Sequence, residues 1–231
     1  MSEFTLAGYA ALVKALLARG YEVRGFADAE PAARHLILRH DIDVDLAPAL
    51  AMAETEAEMG VAATYFVMLR NPLYNPFAER ERLVRLRALG HEVGLHFDAA
   101  LSDDLAAAAA RECRRLEAIL DAPVEIISFH RPAAALQGEP GGLAGRRHTY
   151  QPRLFRDMGY CSDSRGAWHH GHPLEHEAVA AGRALQLLTH PVWWAAAGTD
   201  VTTRIDSIIN ARAEAFRGHL EGQIETYRRR E

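Results

Sequence analysis

The sequence predicts an α/β fold: a distorted or incomplete (β/α) barrel of about seven parallel strands, with extra helices at the ends of the chain. Short runs of β-branched and aromatic residues alternate with longer helical segments along the 231 residues, which is typical of parallel strands joined by crossover helices. Polar, reactive residue types recur at the carboxyl ends of these runs, where barrel enzymes carry their chemistry. We therefore favour a barrel over an open sheet.

The predicted elements alternate between helix and strand from the start of the chain. Along the chain they cover residues 3–19, 35–38, 46–59, 63–69, 77–89, 92–97, 102–120, 124–129, 185–189 and 202–229. Gly20, Gly60 and Gly90 follow the first three helices, a position in which glycine commonly ends a helix. The stretch 133–182 contains several glycines and many polar residues, and we predict a long functional loop region with short elements there.

Composition limits the class of protein. With 49% hydrophobic residues the chain has enough apolar material for one sizeable core, and its length suits one domain. The net charge of -5 argues against nucleic acid or an anionic membrane as a partner. No stretch approaches the roughly 20 apolar residues of a membrane span, and the N-terminal segment lacks the pattern of a signal peptide. Cys113 and Cys161 lie in unrelated contexts, so we expect a reducing, cytoplasmic setting.

Four predicted strands deliver polar residues at their carboxyl ends. These residues are Asp41, Asp43, His96, Asp98, His130, Arg131 and His190. A single histidine at a strand end is more often a hydrogen-bonded structural residue than a ligand, and a single carboxylate there often caps the next helix. Because the carboxyl ends of parallel strands meet at one edge of a sheet, the convergence of all four favours a functional site.

The segment 39–43, with the sequence RHDID, carries two aspartates two residues apart. Side chains two apart on a strand share a face, so Asp41 and Asp43 repel each other unless something offsets their charges. A divalent metal does so by coordinating one carboxylate and leaving the other free as a general base. Asp45 directly precedes a helix, and we predict that it caps that helix. His40 points to the opposite face, and we interpret it as structural.

Two histidines and an arginine complete a hydrolytic set. His96 supplies an imidazole of the kind that zinc sites use, whereas His91 lies at the opposite end of the same strand and is interpreted as structural. Arg131, beside a carboxylate, would orient it and keep it ionised, and His190 would donate a proton to a leaving group.

In this order and spacing, these residues resemble the polysaccharide deacetylase (NodB-homology) superfamily of carbohydrate esterases, over nearly the whole chain. The resemblance is greatest to the WbmS-like branch from surface-polysaccharide (O-antigen) gene clusters. It implies a single polysaccharide-deacetylase-like catalytic domain over residues 1–231, with Asp41 as the catalytic base and Asp43 as a metal ligand. The second motif, with the lead GHEVG at 90–94, implies that His96 is a metal ligand, but the usual second histidine is replaced by Ala100.

The replacement at position 100 leaves the third metal ligand open, with His130 as the first choice and Asp98 as the second. The third motif implies that Arg131 orients the base. The tyrosine that usually follows it in the family is missing after Pro132, so the donor that stabilises the oxyanion is not identified. The fourth motif implies substrate-binding roles for Asp163 and Trp168. The fifth implies that His190 is the general acid.

The expected activity is that of a metal-dependent amide hydrolase, with zinc as the preferred ion. It would remove an acyl group, acetyl in the first place, from a small N-acylated sugar, nucleotide- or lipid-linked, in lipopolysaccharide (O-antigen) biosynthesis. Two alternatives stay open: a metal-independent or cyclic-amide hydrolase of the same superfamily, and a catalytically inactive binding subunit. The sequence leaves the sugar, the acyl group and the oligomeric state undecided.

Overall fold

The architecture is a curled half-barrel of parallel strands, seen in a computed structural model that describes residues 3–132, 136–169 and 171–227. The strands are β1 (Glu22–Val23), β2 (His35–Ile42), β3 (Thr64–Val67), β4 (Glu92–Phe97), β5 (Ile126–Phe129), β6 (Arg147–His148), β7 (Gly159–Ser162) and β8 (Leu185–Thr189). Seven of them follow the order β6-β5-β4-β3-β2-β8-β7, and the short β1 pairs with the start of β2. All these pairings are parallel. The predicted incomplete (β/α) barrel is confirmed.

Helices connect the strands and extend beyond them at both ends of the chain. They are α1 (Leu6–Ala18), α2 (Leu46–Glu58), α3 (Arg80–Ala88), α4 (Leu105–Leu120), α5 (Pro152–Phe155), α6 (Glu177–Ala180), α7 (Pro191–Ala195) and α8 (Val201–Gln223). Gly20, Gly60 and Gly90 all have positive φ angles, as expected for glycines that end helices. The last predicted helix ends earlier than expected, and the final residues of its predicted range lie outside the described residues. In the part of the chain that the structure describes, no helix combines the length and apolarity that crossing a membrane requires.

The central strand β2 separates two apolar clusters. Ile37 belongs to a small cluster on the concave side of the sheet, which we call the inner face. Leu36, Leu38 and Ile42 belong to the main core between the sheet and the long helices, on the outer face. Because side chains alternate along a strand, the odd-numbered residues of β2 face inward, and this parity carries Arg39 and Asp41 into the half-barrel.

Local capping fixes the chain just after β2. The side chain of Asp45 accepts a hydrogen bond of 2.8 Å from the backbone N–H of Ala47 at the start of α2, which confirms its predicted capping role. The guanidinium of Arg212, in α8, donates to the same carboxylate. The end of β2 is therefore held both by its own helix and by the last helix of the chain.

The stretch 133–182 has more regular structure than its sequence suggests. It contains β6, α5, β7 and α6, and β7 pairs with β8 over four residues. Strands and helices of two to four residues are too short to show hydrophobic periodicity, and β7 has the sequence GYCS with glycine and serine at its ends. These elements complete the sheet beside β8 and build one wall of the cavity described below.

Candidate active site

The carboxyl ends of four strands open into one cavity of about 320 Å³. Its walls include six of the eight residues predicted for the site, namely Asp41, Asp43, His96, His130, Arg131 and His190. They follow or end β2, β4, β5 and β8, so the convergence expected of parallel strands is present. Asp163 and Trp168, the two residues predicted to bind substrate, are not part of this lining.

Three of the side chains form a cluster with the composition of a metal site. Ligand atoms of Asp43, His96 and His130 all lie within 4.8 Å of one another. Oδ1 of Asp43 is 3.2 Å from Nε2 of His96 and 3.6 Å from Nδ1 of His130. This oxygen is buried, yet neither imidazole forms a well-directed hydrogen bond to it, and it has no hydrogen-bond partner among the described residues. One carboxylate oxygen and two imidazole nitrogens are zinc-type ligands, so the residues fit a divalent cation.

The electrostatics of Asp43 agree with a cation site. Burial raises the pKa of this carboxyl, but the imidazoles of His130 and His96 beside it have the larger opposite effect, so that its pKa lies well below the usual range. The carboxylate is therefore ionised. On the other side of His96, Nδ1 lies 2.6 Å from the hydroxyl of Ser128. That hydrogen bond turns Nε2 toward Asp43, in the way that outer hydrogen bonds orient metal-binding histidines.

The structure also bears on the choice between His130 and Asp98. Asp98 accepts a hydrogen bond of 3.0 Å from the backbone N–H of Ala100 and caps the short turn Ala99–Leu101. His130 instead lies beside His96, with its Nδ1 3.4 Å from Nε2 of that residue. Pairing of β4 with β5 in the register Phe97↔Phe129 brings the two histidines together. The geometry thus favours His130, and its role as a ligand stays a prediction.

The arginine on the predicted base is Arg39, not Arg131. The guanidinium of Arg39 donates through Nε and Nη2 to the two oxygens of Asp41, at 3.0 and 2.8 Å, and through Nη1 to Gln186 at 3.1 Å. Burial raises the pKa of Asp41, but the charge and hydrogen bonds of Arg39, together with His96 and His190, outweigh it, so the pKa is lowered. This corrects the expectation for Arg131: an inward residue two positions before Asp41 already occupies both carboxylate oxygens.

Asp163 has a different role from the predicted contact with substrate. It is completely buried, and its Oδ1 lies 2.6 Å from Nδ1 of His190. The carboxylate also accepts hydrogen bonds from the backbone N–H of His190 and from Nε1 of Trp194. Burial lowers the pKa of His190, but the charge and hydrogen bond of Asp163, together with the charges of Asp43 and Asp41, outweigh it and raise that pKa to about 9. Asp163 therefore orients the histidine and favours its protonated form instead of facing the cavity.

Trp168 lies away from the cavity as well. Its Nε1 donates to the carboxylate of Glu3 at 2.6 Å, and its ring packs against Phe4 and Trp194 with centroid distances of 5.8 and 5.9 Å. The tryptophan that lines the cavity is Trp193. The prediction for Trp168 is corrected, because that side chain packs against the N-terminal segment.

Several cavity residues gave no usable signal in the sequence. The lining includes Tyr150, Tyr160 and Arg165, all delivered by the region that we expected to be mostly loop. Only Arg39 carried a recognisable signal, since an arginine inside an apolar strand, two residues before an aspartate, predicts an inward-facing ion pair.

Comparison with known proteins gives similarity of structure only. No protein-family model matches the chain, and no curated protein does. A family 4 carbohydrate esterase from Bacillus anthracis is 15% identical with a TM-score of 0.45, over 90% of this chain and 86% of that one. A family 4 (CE4) pseudoenzyme from Bacillus anthracis is 14% identical with a TM-score of 0.46, over 80% of this chain and 62% of that one.

A deacetylase from Streptococcus pyogenes, in complex with acetate, is 12% identical with a TM-score of 0.44, over 86% of this chain and 84% of that one. With identities and TM-scores this low, what this chain does must be argued from its own side chains.

Proposed function

We propose that this chain is a metal-dependent amide hydrolase of the polysaccharide deacetylase superfamily that removes an acyl group, acetyl in the first place, from an N-acylated sugar. One observation carries the proposal. A carboxylate fixed by an arginine, a cluster of side chains that could bind a metal, and a protonated histidine all face the same cavity. These are Asp41, the cluster of Asp43, His96 and His130, and His190. General base, Lewis-acid position and general acid are the three parts that hydrolysis of an amide needs.

The cation would be held by Asp43, His96 and His130, with zinc as the preferred ion. When bound, it supplies a Lewis acid that polarises the acyl carbonyl. Asp41 stands beside this position, with its Oδ2 3.7 Å from Nε2 of His96. Arg39 keeps the Asp41 carboxylate ionised and fixed, so that it accepts a proton from the attacking water.

The departing amine requires a proton, and His190 supplies it. Its Nδ1 is engaged by Asp163, which leaves Nε2 to face the cavity, 3.7 Å from Oδ2 of Asp43. The raised pKa of about 9 keeps this imidazole protonated at neutral pH. As the water oxygen bonds to the carbonyl carbon and the C–N bond breaks, one proton passes to Asp41 and another leaves Nε2 of His190 for the nitrogen.

The remaining walls suit a sugar. Tyr150, Tyr160 and Trp193 line the cavity, and such rings present flat apolar faces with a polar edge. We propose a small substrate made inside the cell for lipopolysaccharide (O-antigen) synthesis, a nucleotide- or lipid-linked N-acyl sugar. Cys113 and Cys161, both buried and unpaired, are compatible with the reducing cytoplasm.

One sequence feature favours a second candidate. Ala100, at the position of the usual second histidine ligand, fits a metal-independent hydrolase of cyclic amides or an inactive binding subunit. Oδ1 of Asp43 argues for the metal-dependent enzyme, because a buried carboxylate oxygen that has two imidazoles nearby but no directed hydrogen bond among the described residues is costly without a cation.

The test measures acetate released from N-acetyl sugars by protein purified without chelators, alongside its metal content. Asp41→Asn should lower turnover per folded molecule by about a thousandfold, within the usual range for a general base. It should also lower the unfolding free energy, because the buried guanidinium of Arg39 loses its counter-charge. Asp103→Asn, at an exposed aspartate, is the matched control and should keep full turnover. Full activity of Asp41→Asn on a verified substrate, or activity without bound metal that resists chelators, contradicts the proposal.

A further inference from the structure

Two arginines of the cavity have no partner in the part of the chain that the structure describes. Arg131 and Arg165 come from distant parts of the chain, are both exposed and both line the catalytic cavity. Among the described residues, neither guanidinium has a hydrogen bond or an ion pair.

Another surface groove differs from the cavity in how its charged residues are paired. A groove of about 540 Å³ between α2 and α8 also has charged residues on its walls. There, however, Arg212 pairs with Asp45 and Arg82 pairs with Glu79. The charges of that groove are neutralised within the protein, whereas the two cavity arginines remain available to a ligand.

The backbone at both arginines is strained. Arg131 has φ +48° and Arg165 has φ +58°, in the left-handed region that residues with a side chain rarely adopt. Only two other non-glycine residues of the described chain share this feature. Asp121 does so as the C-cap of α4, where it is expected, and Ala144 lies in a turn. Strain of this kind tends to be retained where the side chain must face a ligand.

A second chamber continues the catalytic cavity past Arg165. It measures about 280 Å³ and shares Tyr150, Tyr160 and Arg165 with the first. The two acidic side chains of the cavity, Asp41 and Asp43, line the first chamber only, and no acidic residue lies among the described residues that line the second. In the second chamber, Arg165 therefore meets an anionic group without a competing carboxylate in the described walls.

We propose that Arg131 and Arg165 bind a phosphate group joined to the sugar, so that the substrate class is a phosphate or diphosphate ester of an N-acyl sugar. The identity of the sugar part rests on the function proposed above. Guanidinium groups bind phosphate oxygens through paired N–H donors, and two unpaired arginines at one cavity match a group with more than one negative charge. The sugar then occupies the first chamber with its acyl group toward Asp43. The phosphate lies where the two chambers meet, with Arg131 on the wall of the first chamber and Arg165 on the wall that both share.

The experiment is isothermal titration calorimetry on the full-length, metal-loaded protein. Its ligands are N-acetylglucosamine, the 1-phosphate of that sugar and its uridine diphosphate ester. The phosphorylated sugars should bind more tightly than the free sugar, and added salt should weaken their binding. Arg131→Gln and Arg165→Gln should each weaken binding of the phosphate esters by about tenfold, since charge-assisted hydrogen bonds are lost, with no change for the free sugar. Arg111→Gln, at an exposed arginine of α4 that lines neither chamber, should bind all three ligands as the native protein does.

The arginine variants keep the metal cluster, so any phosphate binding through the ion is common to all proteins and cancels in the comparison. Free uridine diphosphate and farnesyl diphosphate, used as competitors, distinguish a nucleotide-linked from a lipid-linked source, and displacement by either supports the inference. Equal affinity for free and phosphorylated sugar, or unchanged affinity in both arginine variants, overturns it.

Turnover separates this inference from the proposed function. Arginine-dependent binding of phosphorylated sugars without any release of acetate contradicts the hydrolase and leaves the phosphate site standing. Release of acetate with equal kcat/KM from free and phosphorylated sugars contradicts the phosphate site and leaves the hydrolase standing.

Discussion

Both faces of β2 carry buried acidic and basic groups, but only on the inner face do these groups lie beside a cavity. On the inner face lie Arg39 and Asp41, with Asp43 just after the end of the strand. On the outer face lies His40, whose Nε2 is 2.8 Å from the carboxylate of Glu56 in α2. His40 and Glu56 are completely buried, between the sheet and the helices.

On the outer face, the polar side chains around His40 and Glu56 all have hydrogen-bond partners. The carboxylate of Glu56 accepts hydrogen bonds from the hydroxyls of Tyr9 and Tyr65 as well as from His40. Nδ1 of His40 in turn lies 2.7 Å from the hydroxyl of Thr189. Burial raises the pKa of Glu56, but His40 and the two tyrosines outweigh it and lower that pKa. A buried network in which every polar group is hydrogen-bonded stabilises the fold and leaves no polar group free to bind a ligand.

The inner face differs in two respects. Oδ1 of Asp43 is buried without a hydrogen-bond partner, and the cavity of about 320 Å³ lies directly beside it. Buried charged groups alone do not indicate a functional site, since both faces of β2 have them. An unsatisfied ligand atom next to open space is what distinguishes the inner face, and the two faces should respond differently to mutation.

Asp43→Ala should produce the largest effect on the inner face. In the proposed mechanism this substitution would remove the cation and its polarisation of the acyl carbonyl, which is worth several kcal/mol of transition-state stabilisation, so turnover should fall by about a thousandfold or more. The unfolding free energy in the presence of chelator should change by about 1 kcal/mol or less. Metal content, acetate release and urea unfolding measure the three quantities.

Asp45→Ala is the control for this variant. It removes the cap of α2 and the partner of Arg212, so it should lower stability by about 1 kcal/mol and leave the metal bound. Retention of a full equivalent of metal by Asp43→Ala would show that the cluster is not the metal site.

Glu56→Ala should have the opposite profile, because it leaves a buried histidine and two buried tyrosine hydroxyls without their acceptor. Breaking a buried pair in this way lowers the free energy of unfolding by about 3–5 kcal/mol. The molecules that remain folded should bind metal as the native protein does. Urea unfolding and metal content per folded molecule test both statements.

The matched control is Glu54→Ala, at an exposed position of the same helix, which should change stability by about 0.5 kcal/mol or less. If the two variants lost equal stability, the outer network would have no special role.

The sequence was sufficient for the features that depend on local periodicity. It predicted every long strand and helix, the capping by Asp45, and the structural nature of His91. That histidine is confirmed as structural, since it binds the backbone N–H of Ala63 and the carbonyl of Ala53. Alternation along β2 also separated His40 from the aspartates correctly.

Features that depend on contacts between residues far apart in the chain could not be predicted from the sequence. Glu56 meets Tyr9 and Tyr65 only after three elements have packed, and nothing in the helical pattern of α2 marks that glutamate as different from Glu54. Asp163 reaches His190 because β7 pairs with β8, and β7 was itself too short to predict. The family resemblance implied Arg131 as the partner of Asp41, whereas Arg39, two residues before it on the same strand, donates to both of its oxygens.

The smallest effects are expected from two substitutions that each remove one hydroxyl group, one on each face of the sheet. Ser128 holds Nδ1 of His96 on the inner face, and Thr189 holds Nδ1 of His40 on the outer face, at 2.6 and 2.7 Å. Ser128→Ala should weaken metal affinity by about 10- to 100-fold, since outer hydrogen bonds orient metal-binding histidines. Thr189→Val, of nearly the same shape, should leave metal affinity unchanged and lower the unfolding free energy by about 1–3 kcal/mol, because a buried nitrogen loses its partner. Metal titration against a competing chelator and urea unfolding measure the two quantities, and equal metal affinities in the two variants would mean that the inner face does not differ from the outer in the way proposed.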